Sequence, residues 1–300
     1  MEIYFIVNPI SGRGKNEDLL REEIRKAGIE AQIYVTKDKG DAAEFAKRVI
    51  TEYPDTELRL IACGGDGTIN EVFSAAVKKA NVSVGIYPCG SGNDLVKSLG
   101  GKERFQNVRQ LVNAAVRPID ILKVGDRYSV NVVNFGFDAA VCEYVEKHRT
   151  RKGYASKTAY LKGVVSAMVR AMKNRFTVIA DGEVLNPDGT GLLCTLANGQ
   201  YVGSAFHCAP RAKLDDGIIE VCYIQCISRW KLLQLVGSYI KGSHLDDPRV
   251  WPVMEYRQAR KVEVNAPEGF IYTLDGELIH ENSLTVEVIP RALYLAVPEE

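Results

Sequence analysis

The sequence has no net charge: Lys plus Arg and Asp plus Glu number 38 each, a formal balance of +0. Without an overall positive field the chain is a poor candidate for non-specific nucleic-acid binding, so any electrostatic partner must be met by a local patch. No apolar run approaches the ~18 residues of a membrane span. The start, Met1-Glu2-Ile3-Tyr4-Phe5-Ile6-Val7-Asn8-Pro9, lacks the basic leader of a secretion signal, and its apolar run is too short for one. Internal repeats, low-complexity tracts and long linkers are missing too. Histidine is scarce, with His148, His207, His244 and His280 scattered and without consistent partners. Seven cysteines, at positions 63, 89, 142, 194, 208, 222 and 226, are odd in number and fall in apolar segments. That pattern excludes a disulfide framework and reads as buried free thiols in a reducing, cytoplasmic compartment.

What is present suffices for a sizeable core. Hydrophobic residues make up 46% of 300, a length that suggests two domains or one large one. The first third alternates strand and helix. Ile3–Val7, Ile29–Val35, Leu58–Cys63 and Val82–Tyr87 read as strands. Between them, Leu19, Leu20, Ile24 and Ala27, then Ala42, Phe45, Ala46, Val49, Ile50 and Tyr53, then Ile69–Lys79 read as helices. Alternation of this kind implies a parallel sheet covered on both faces. After about Asp120 the rhythm changes. Helical stretches near 138–147 and 156–174 precede strand-like runs, and Asp-Gly, the dipeptide of tight hairpins, occurs at 181–182, 188–189, 216–217 and 275–276. This half reads as mainly antiparallel. The short last strand, Ala292–Val297, fits either half.

The strongest local feature is Gly64-Gly65-Asp66-Gly67-Thr68, between a strand and a helix. Its glycines let the backbone approach a ligand, and the following helix offers unpaired N–H groups with partial positive charge. That suits a phosphate chain, and Asp66 suits a bound Mg²⁺ or a metal-bound water. Asn8–Gly14 and Pro88-Cys89-Gly90-Ser91-Gly92-Asn93-Asp94 also follow strands, and in an open parallel sheet such loops converge on one crevice. None of the three fits G-x-x-x-x-G-K-[ST], the dinucleotide fingerprint fails at Asn70, and the G-x-S-x-G elbow and protein-kinase motifs are absent.

Asn8-Pro9-x-Ser11-Gly12, Gly64–Thr68 with Asn70-Glu71, and Gly90-Ser91-Gly92-Asn93-Asp94 resemble the diacylglycerol kinase catalytic family, which includes bacterial soluble lipid kinases and the sphingosine and ceramide kinases. The likeness continues through Asn134-Phe135-Gly136-Phe137-Asp138, Ala197-Asn198-Gly199, Ala209-Pro210, Leu214-Asp215-Asp216-Gly217 and Asp275-Gly276-Glu277. Ser91 stands where many members carry Thr, and the hydroxyl is kept. The resemblance implies a three-layer α/β nucleotide-binding domain of NAD-kinase type over 1–122, to which 291–300 returns, and a β-sandwich lipid-substrate domain over 123–290. It implies ATP contacts from Asn8, Pro9, Ser11, Gly12, Thr36, Gly64, Gly65, Asp66, Gly67, Thr68, Asn70, Glu71, Ser91 and Asp94. Asp66, Asp94 and Asp120 would form a carboxylate network near the phosphates. A structural Mg²⁺ would be held by the Asp216 side chain and the carbonyls of Lys213 and Ile218. Relatives also make a homodimer an expectation.

Phosphoryl transfer needs a residue to accept the acceptor's proton. Glu277 matches the family's base, with Asp275 beside it. Asp181-Gly182-Glu183 repeats the tripeptide and reads as a hairpin turn between alternating strands. From Glu146 to Arg175, nine basic residues (Lys147, Arg149, Arg151, Lys152, Lys157, Lys162, Arg170, Lys173, Arg175) face one acidic residue, while Leu161, Val164, Val165, Met168, Val169 and Met172 recur at helical spacing. This is either a solvated face of a domain helix or a docking face for the cytoplasmic surface of an anionic membrane. The expected activity is ATP- and Mg²⁺-dependent phosphorylation of a lipid hydroxyl, diacylglycerol first. The rivals are an NAD-kinase-like enzyme with a soluble acceptor and a nucleotide-binding regulator without catalysis.

Overall fold

The computed structural model describes residues 1–14, 16–90, 92–148, 157–203 and 205–299. The chain divides into two compact units, Met1–Ile121 with Ile289–Glu300, and Leu122–Val288. In the first, β1 (Glu2–Val7), α1 (Asn16–Ala27), β2 (Gln32–Val35), α2 (Asp41–Glu52), β3 (Leu58–Gly64), α3 (Asp66–Ala76) and β4 (Val82–Pro88) alternate, followed by short α4 (Asp94–Ser98) and α5 (Val108–Val112). The strands are parallel in the order β4-β3-β1-β2. Tyr294 and Leu295 of the last strand pair, also parallel, with Ser83 and Val84 of β4, so the segment whose pattern fits either half completes this sheet.

From β1 the chain moves to β2 on one side, whereas the steps from β2 to β3 and on to β4 go the other way. Right-handed crossovers then put α1 on one face and α2 and α3 on the opposite one. The packing agrees, with α1 against α5 and α2 against α3. Covered on both faces, β3 is buried at all seven positions and shows no alternation. Its one charged residue, Arg59, donates to Ser83 Oγ and to the carbonyls of Leu111, Val112 and Ala114, closing the C-terminal end of α5. Several details differ from the sequence expectation: β2 starts at Gln32, not Ile29, and α3 ends at Ala76, not Lys79. Helix α3 starts at Asp66, not Ile69, so Asp66-Gly67-Thr68 form its first turn. Leu19 is 55% exposed while Leu20 and Ile24 are buried, because one residue rotates a helical position by ~100°.

In the second unit, β5 (Ala115–Val124), which begins in the first, pairs with β6 (Arg127–Ser129). There follow β7 (Val132–Gly136), α6 (Phe137–Lys147), α7 (Lys157–Arg170), β8 (Asn174–Arg175), β9 (Thr177–Ala180), β10 (Glu183–Val184), β11 (Thr190–Gly191), β12 (Leu193–Ala197) and β13 (Ile219–Ile224). The rest is α8 (Arg229–Lys241), β14 (Met254–Ala259), β15 (Lys261–Asn265), β16 (Ile271–Leu274), β17 (Glu277–His280) and the start of β18 (Ser283–Val297). One sheet is antiparallel in the order β14-β13-β12-β7-β16-β17; the other is β10-β9-β15-β18. Phe135, Val221 and Tyr272 of the first share a core with Val178, Val262 and Val286 of the second, which makes the unit a β-sandwich. Cysteines 63, 194, 208 and 222 are buried and free, but Cys226 is exposed, contrary to its apolar sequence neighbourhood.

The two Asp-Gly-Glu tripeptides are the same turn. Asp181 (φ 45°) and Gly182 (φ 89°) join β9 to β10; Asp275 (φ 48°) and Gly276 (φ 87°) join β16 to β17. Positive φ at both central positions is the type I′ hairpin, which Asp-Gly serves well. In each turn the aspartate reaches out to cap neighbouring backbone. Asp181 accepts from the N–H groups of Arg260 and Lys261 at 2.9–3.1 Å. Asp275 is buried and accepts from Ser129 Oγ (2.7 Å) and from the N–H groups of Val130, Asn131 and Val132 (2.9–3.0 Å). Asp275→Asn turns an amide N–H₂ toward these donors and should cost about 3 kcal/mol, against under about 1 kcal/mol for Asp181→Asn at the more open turn. Paired denaturant titrations check this; equal losses would contradict the assigned difference.

Candidate active site

In the first unit β1, β3 and β4 end side by side, with Val7 beside Cys63 and Gly64 beside Pro88. The strand order reverses between β1 and β3, and the carboxyl edge at such a switch point is where open α/β sheets bind ligands. Side chains and backbone there knit the three loops together. Asn8 Nδ2 donates to Thr68 Oγ1 (3.2 Å), and Asn8 Oδ1 accepts the N–H of Ile10 (3.0 Å). The Gly64 carbonyl accepts the N–H groups of Cys89 (3.0 Å) and Gly90 (3.1 Å) and the Asn93 amide (3.0 Å). A side chain on Gly90 would start 2.5 Å from the Gly65 Cα, so the two loops touch backbone to backbone.

Asp66 fastens this contact. Its Oδ2 accepts the N–H of Asn93 (2.9 Å) and its Oδ1 that of Asp94 (2.8 Å). Asp94 in turn meets Lys97 at 2.7 Å, and Lys102 Nζ donates to the Gly90 carbonyl at 2.6 Å. Pro9 and Gly12 are exposed, Ser11 is half-buried, and Gly65, Asp66 and Gly67 lie half-exposed at the start of α3. Thr36 is buried, bonding the Val7 carbonyl through N–H (2.9 Å) and hydroxyl (3.3 Å). Glu71 accepts the Gly40 N–H (3.0 Å), and Asn70 accepts from Ser74 (3.4 Å). Asp120, fully buried, accepts the N–H of Arg291 at 2.8 Å, where Arg291 takes φ 51° within β18. Ser91 lies outside the described residues. The exposed glycine backbone, the first-turn N–H groups of α3 and the ammonium groups of Lys97 and Lys102 together suit a chain of phosphates.

In the second unit Glu277 opens β17, half-buried, one residue past the turn that Asp275 anchors. Asp216 Oδ1 accepts the N–H of Ile218 at 3.1 Å; the other oxygens expected to hold Mg²⁺ are the backbone carbonyls of Lys213 and Ile218. Carboxylate and carbonyl oxygens are hard donors of the kind Mg²⁺ takes, so the donor set fits that ion with water completing its shell. No group of three or more His, Cys, Asp or Glu side chains among the described residues is placed to hold a metal.

Comparison with known proteins matches residues 2–124 to the diacylglycerol kinase catalytic domain and residues 131–297 to the YegS C-terminal NAD kinase beta sandwich-like domain. The chain belongs to the diacylglycerol kinase family. It is 29% identical to the Probable lipid kinase YegS-like of Klebsiella pneumoniae (strain 342), over 97% of this chain and 95% of that one. It is also 29% identical to the Diacylglycerol kinase of Bacillus subtilis (strain 168), over 91% and 88%. A crystal structure of a diacylglycerol kinase from Bacillus anthracis str. Sterne shares the fold at TM-score 0.72 and 19% identity, covering 99% of this chain and 96% of that one. This family member is therefore a lipid kinase that uses ATP. Among its described residues no helix is long and apolar enough to cross a membrane.

Four residues of this lipid kinase carry roles that the sequence does not show, although Asn93 and Asp138 lie within its motifs. Asn93, fully buried at φ 51°, bridges two loops; its signal was a Gly-Asn pair after a strand, since Asn tolerates the left-handed region. Lys97 and Lys102 carry no motif, and only the fold brings them to the glycine loops. Asp138, at the start of α6, has a buried Oδ2 without a hydrogen-bond partner among the described residues, and burial raises its carboxyl to about 6. Because the folded group is harder to ionise than the unfolded one, its contribution to stability is full below pH 4 and is lost as pH rises through about 6. Asp138→Asn should therefore raise stability at pH 7–8 by up to about 3 kcal/mol and change little below pH 4. Thermal melts of both proteins across that range check it. Asp66→Ala removes two charge-assisted bonds and should cost about 2 kcal/mol. It should also lower turnover by about 100-fold or more. Turnover within tenfold of the parent would make the clasp a structural turn only.

Proposed function

We propose that this lipid kinase transfers the γ-phosphate of ATP to the free hydroxyl of diacylglycerol, yielding phosphatidic acid and ADP. The observation that carries the reading is the clasped set of glycine loops at the switch point of the first unit. The Bacillus subtilis relative's name supports diacylglycerol as the acceptor. The α3 N-terminus, Lys97 and Lys102 orient the triphosphate and meet its charge. Glu277 accepts the hydroxyl proton as the acceptor oxygen bonds the γ-phosphorus and the bond to the β-phosphate oxygen breaks. Asp275, its oxygens engaged by residues 129–132, fixes the hairpin from which Glu277 starts. Mg²⁺, when bound, supplies neutralising charge at the phosphates, and a second ion would be held by Asp216 with the Lys213 and Ile218 carbonyls.

The acceptor resides in a membrane, so peripheral contact at its cytoplasmic face belongs to this reading. Lys147, Lys162, Arg170, Lys173 and Arg175 of the basic stretch are exposed; Arg149, Arg151 and Lys152 lie outside the described residues. The test is phosphate incorporation from Mg-ATP into mixed micelles of diacylglycerol, sphingosine, ceramide or phosphatidylglycerol, with NAD in parallel. Diacylglycerol should be labelled. Glu277→Ala should lower that rate by ~10²–10⁴-fold, while Glu183→Ala, at the twin hairpin, should barely change it. Labelling of NAD alone would favour the soluble-acceptor rival, and no labelling with retained ATP binding the regulator.

A further inference from the structure

Helix α8 is apolar on two faces. Leu232, Leu235, Val236 and Tyr239 point inward and help line a small apolar cavity of about 40 Å³. On the other side Trp230, Leu233 and Ile240 are 71%, 53% and 44% exposed, with Gly237 open between them. These positions, i, i+3, i+7 and i+10, form one outward stripe. Helix α7 repeats the arrangement. Ala167 is buried, while Leu161, Val165 and Val169, at i, i+4 and i+8, are 65%, 56% and 65% exposed. The stripes are neighbours, because Arg229 at the start of α8 donates to the carbonyls of Met168 (2.6 Å) and Val169 (3.3 Å) at the end of α7. An outward apolar face of this size on a soluble domain marks an interaction surface.

Neither helix carries an acidic residue; among the side chains described, their charges are Lys162, Arg170, Arg229, Lys231 and Lys241. A two-fold contact with a second copy would press this basic face against itself. An anionic bilayer complements both features, taking the apolar side chains below its headgroups and the basic ones among them, with tryptophan at the level it favours. We propose that the joined α7–α8 face inserts into the interface of an anionic membrane, anchored by Trp230 and Leu233. This deepens the peripheral contact of the proposed function: the contact becomes insertion, and it extends to a helix outside the basic stretch.

Tryptophan fluorescence reads the insertion directly, since the sequence holds two tryptophans, Trp230 and Trp251. In a Trp251→Phe protein the signal comes from Trp230 alone. Vesicles of phosphatidylcholine with about one third phosphatidylglycerol, free of diacylglycerol and ATP, should shift its emission to the blue. Pure phosphatidylcholine should do so less, and Leu233→Ser or Val169→Ser should each weaken sedimentation with the anionic vesicles by about tenfold. Both side chains are exposed, so circular dichroism and melting should stay as in the parent. Trp230 emission unchanged on vesicles that bind the protein would overturn insertion. So would a lipid-free, concentration-dependent dimer that Leu233→Ser dissolves, because the occupant would then be a second copy. The assay contains no substrate, so a chain that inserts but phosphorylates no lipid would defeat the kinase reading and leave this one standing.

Discussion

The carboxylate of Asp66 joins two helix beginnings. It belongs to the first turn of α3, and its oxygens take the N–H groups of Asn93 and Asp94, which open α4. Orphan donors of one helix are thus satisfied from the start of another, and the carboxylate charge sits where two partial positive ends meet. Only then can the Gly90 loop lie against Gly65 with no room for a side chain. Removing the carboxylate would leave this close approach of backbone to backbone with one less reason to persist. The glycine loops are therefore one object, and their backbone N–H groups are arranged before any nucleotide arrives.

Much of this was legible in the sequence because strand periodicity and glycine placement are local signals. The uniform burial of β3 follows from its unalternating Leu58–Gly64 run, and the loops after β1, β3 and β4 follow from their glycines. The true start of α3 was not legible. Gly64, Gly65 and Gly67 look like a loop, yet Gly67 sits inside a helix whose first turn they make narrow enough to be approached. Nor could residues show that Glu71 would be engaged with Gly40, or Asp120 with Arg291, since both partners are backbone groups. Side-chain recognition of backbone leaves no compositional trace.

The paired Asp-Gly-Glu tripeptides make the same point from the other direction. A local signal identified one hairpin correctly and, by analogy with the family, set the other apart. Both have the same backbone, and the difference lies in what each aspartate caps: exposed β15 backbone for Asp181, a buried bend at 129–132 for Asp275. The proton transfer proposed for Glu277 would depend on this burial, because an anchored hairpin presents its next residue without freedom to wander.

The last strand has a consequence for how the protein is made. Strand β4 is synthesised first, and its neighbour on one side, Tyr294–Leu295, only after the whole second unit. The roughly 200 residues between them take about 10–40 s to translate. Throughout that interval β4 is a bare sheet edge, able to pair with any passing strand. The sheet of the first unit is begun before the second unit is made, yet it cannot be completed until the second unit has been threaded out.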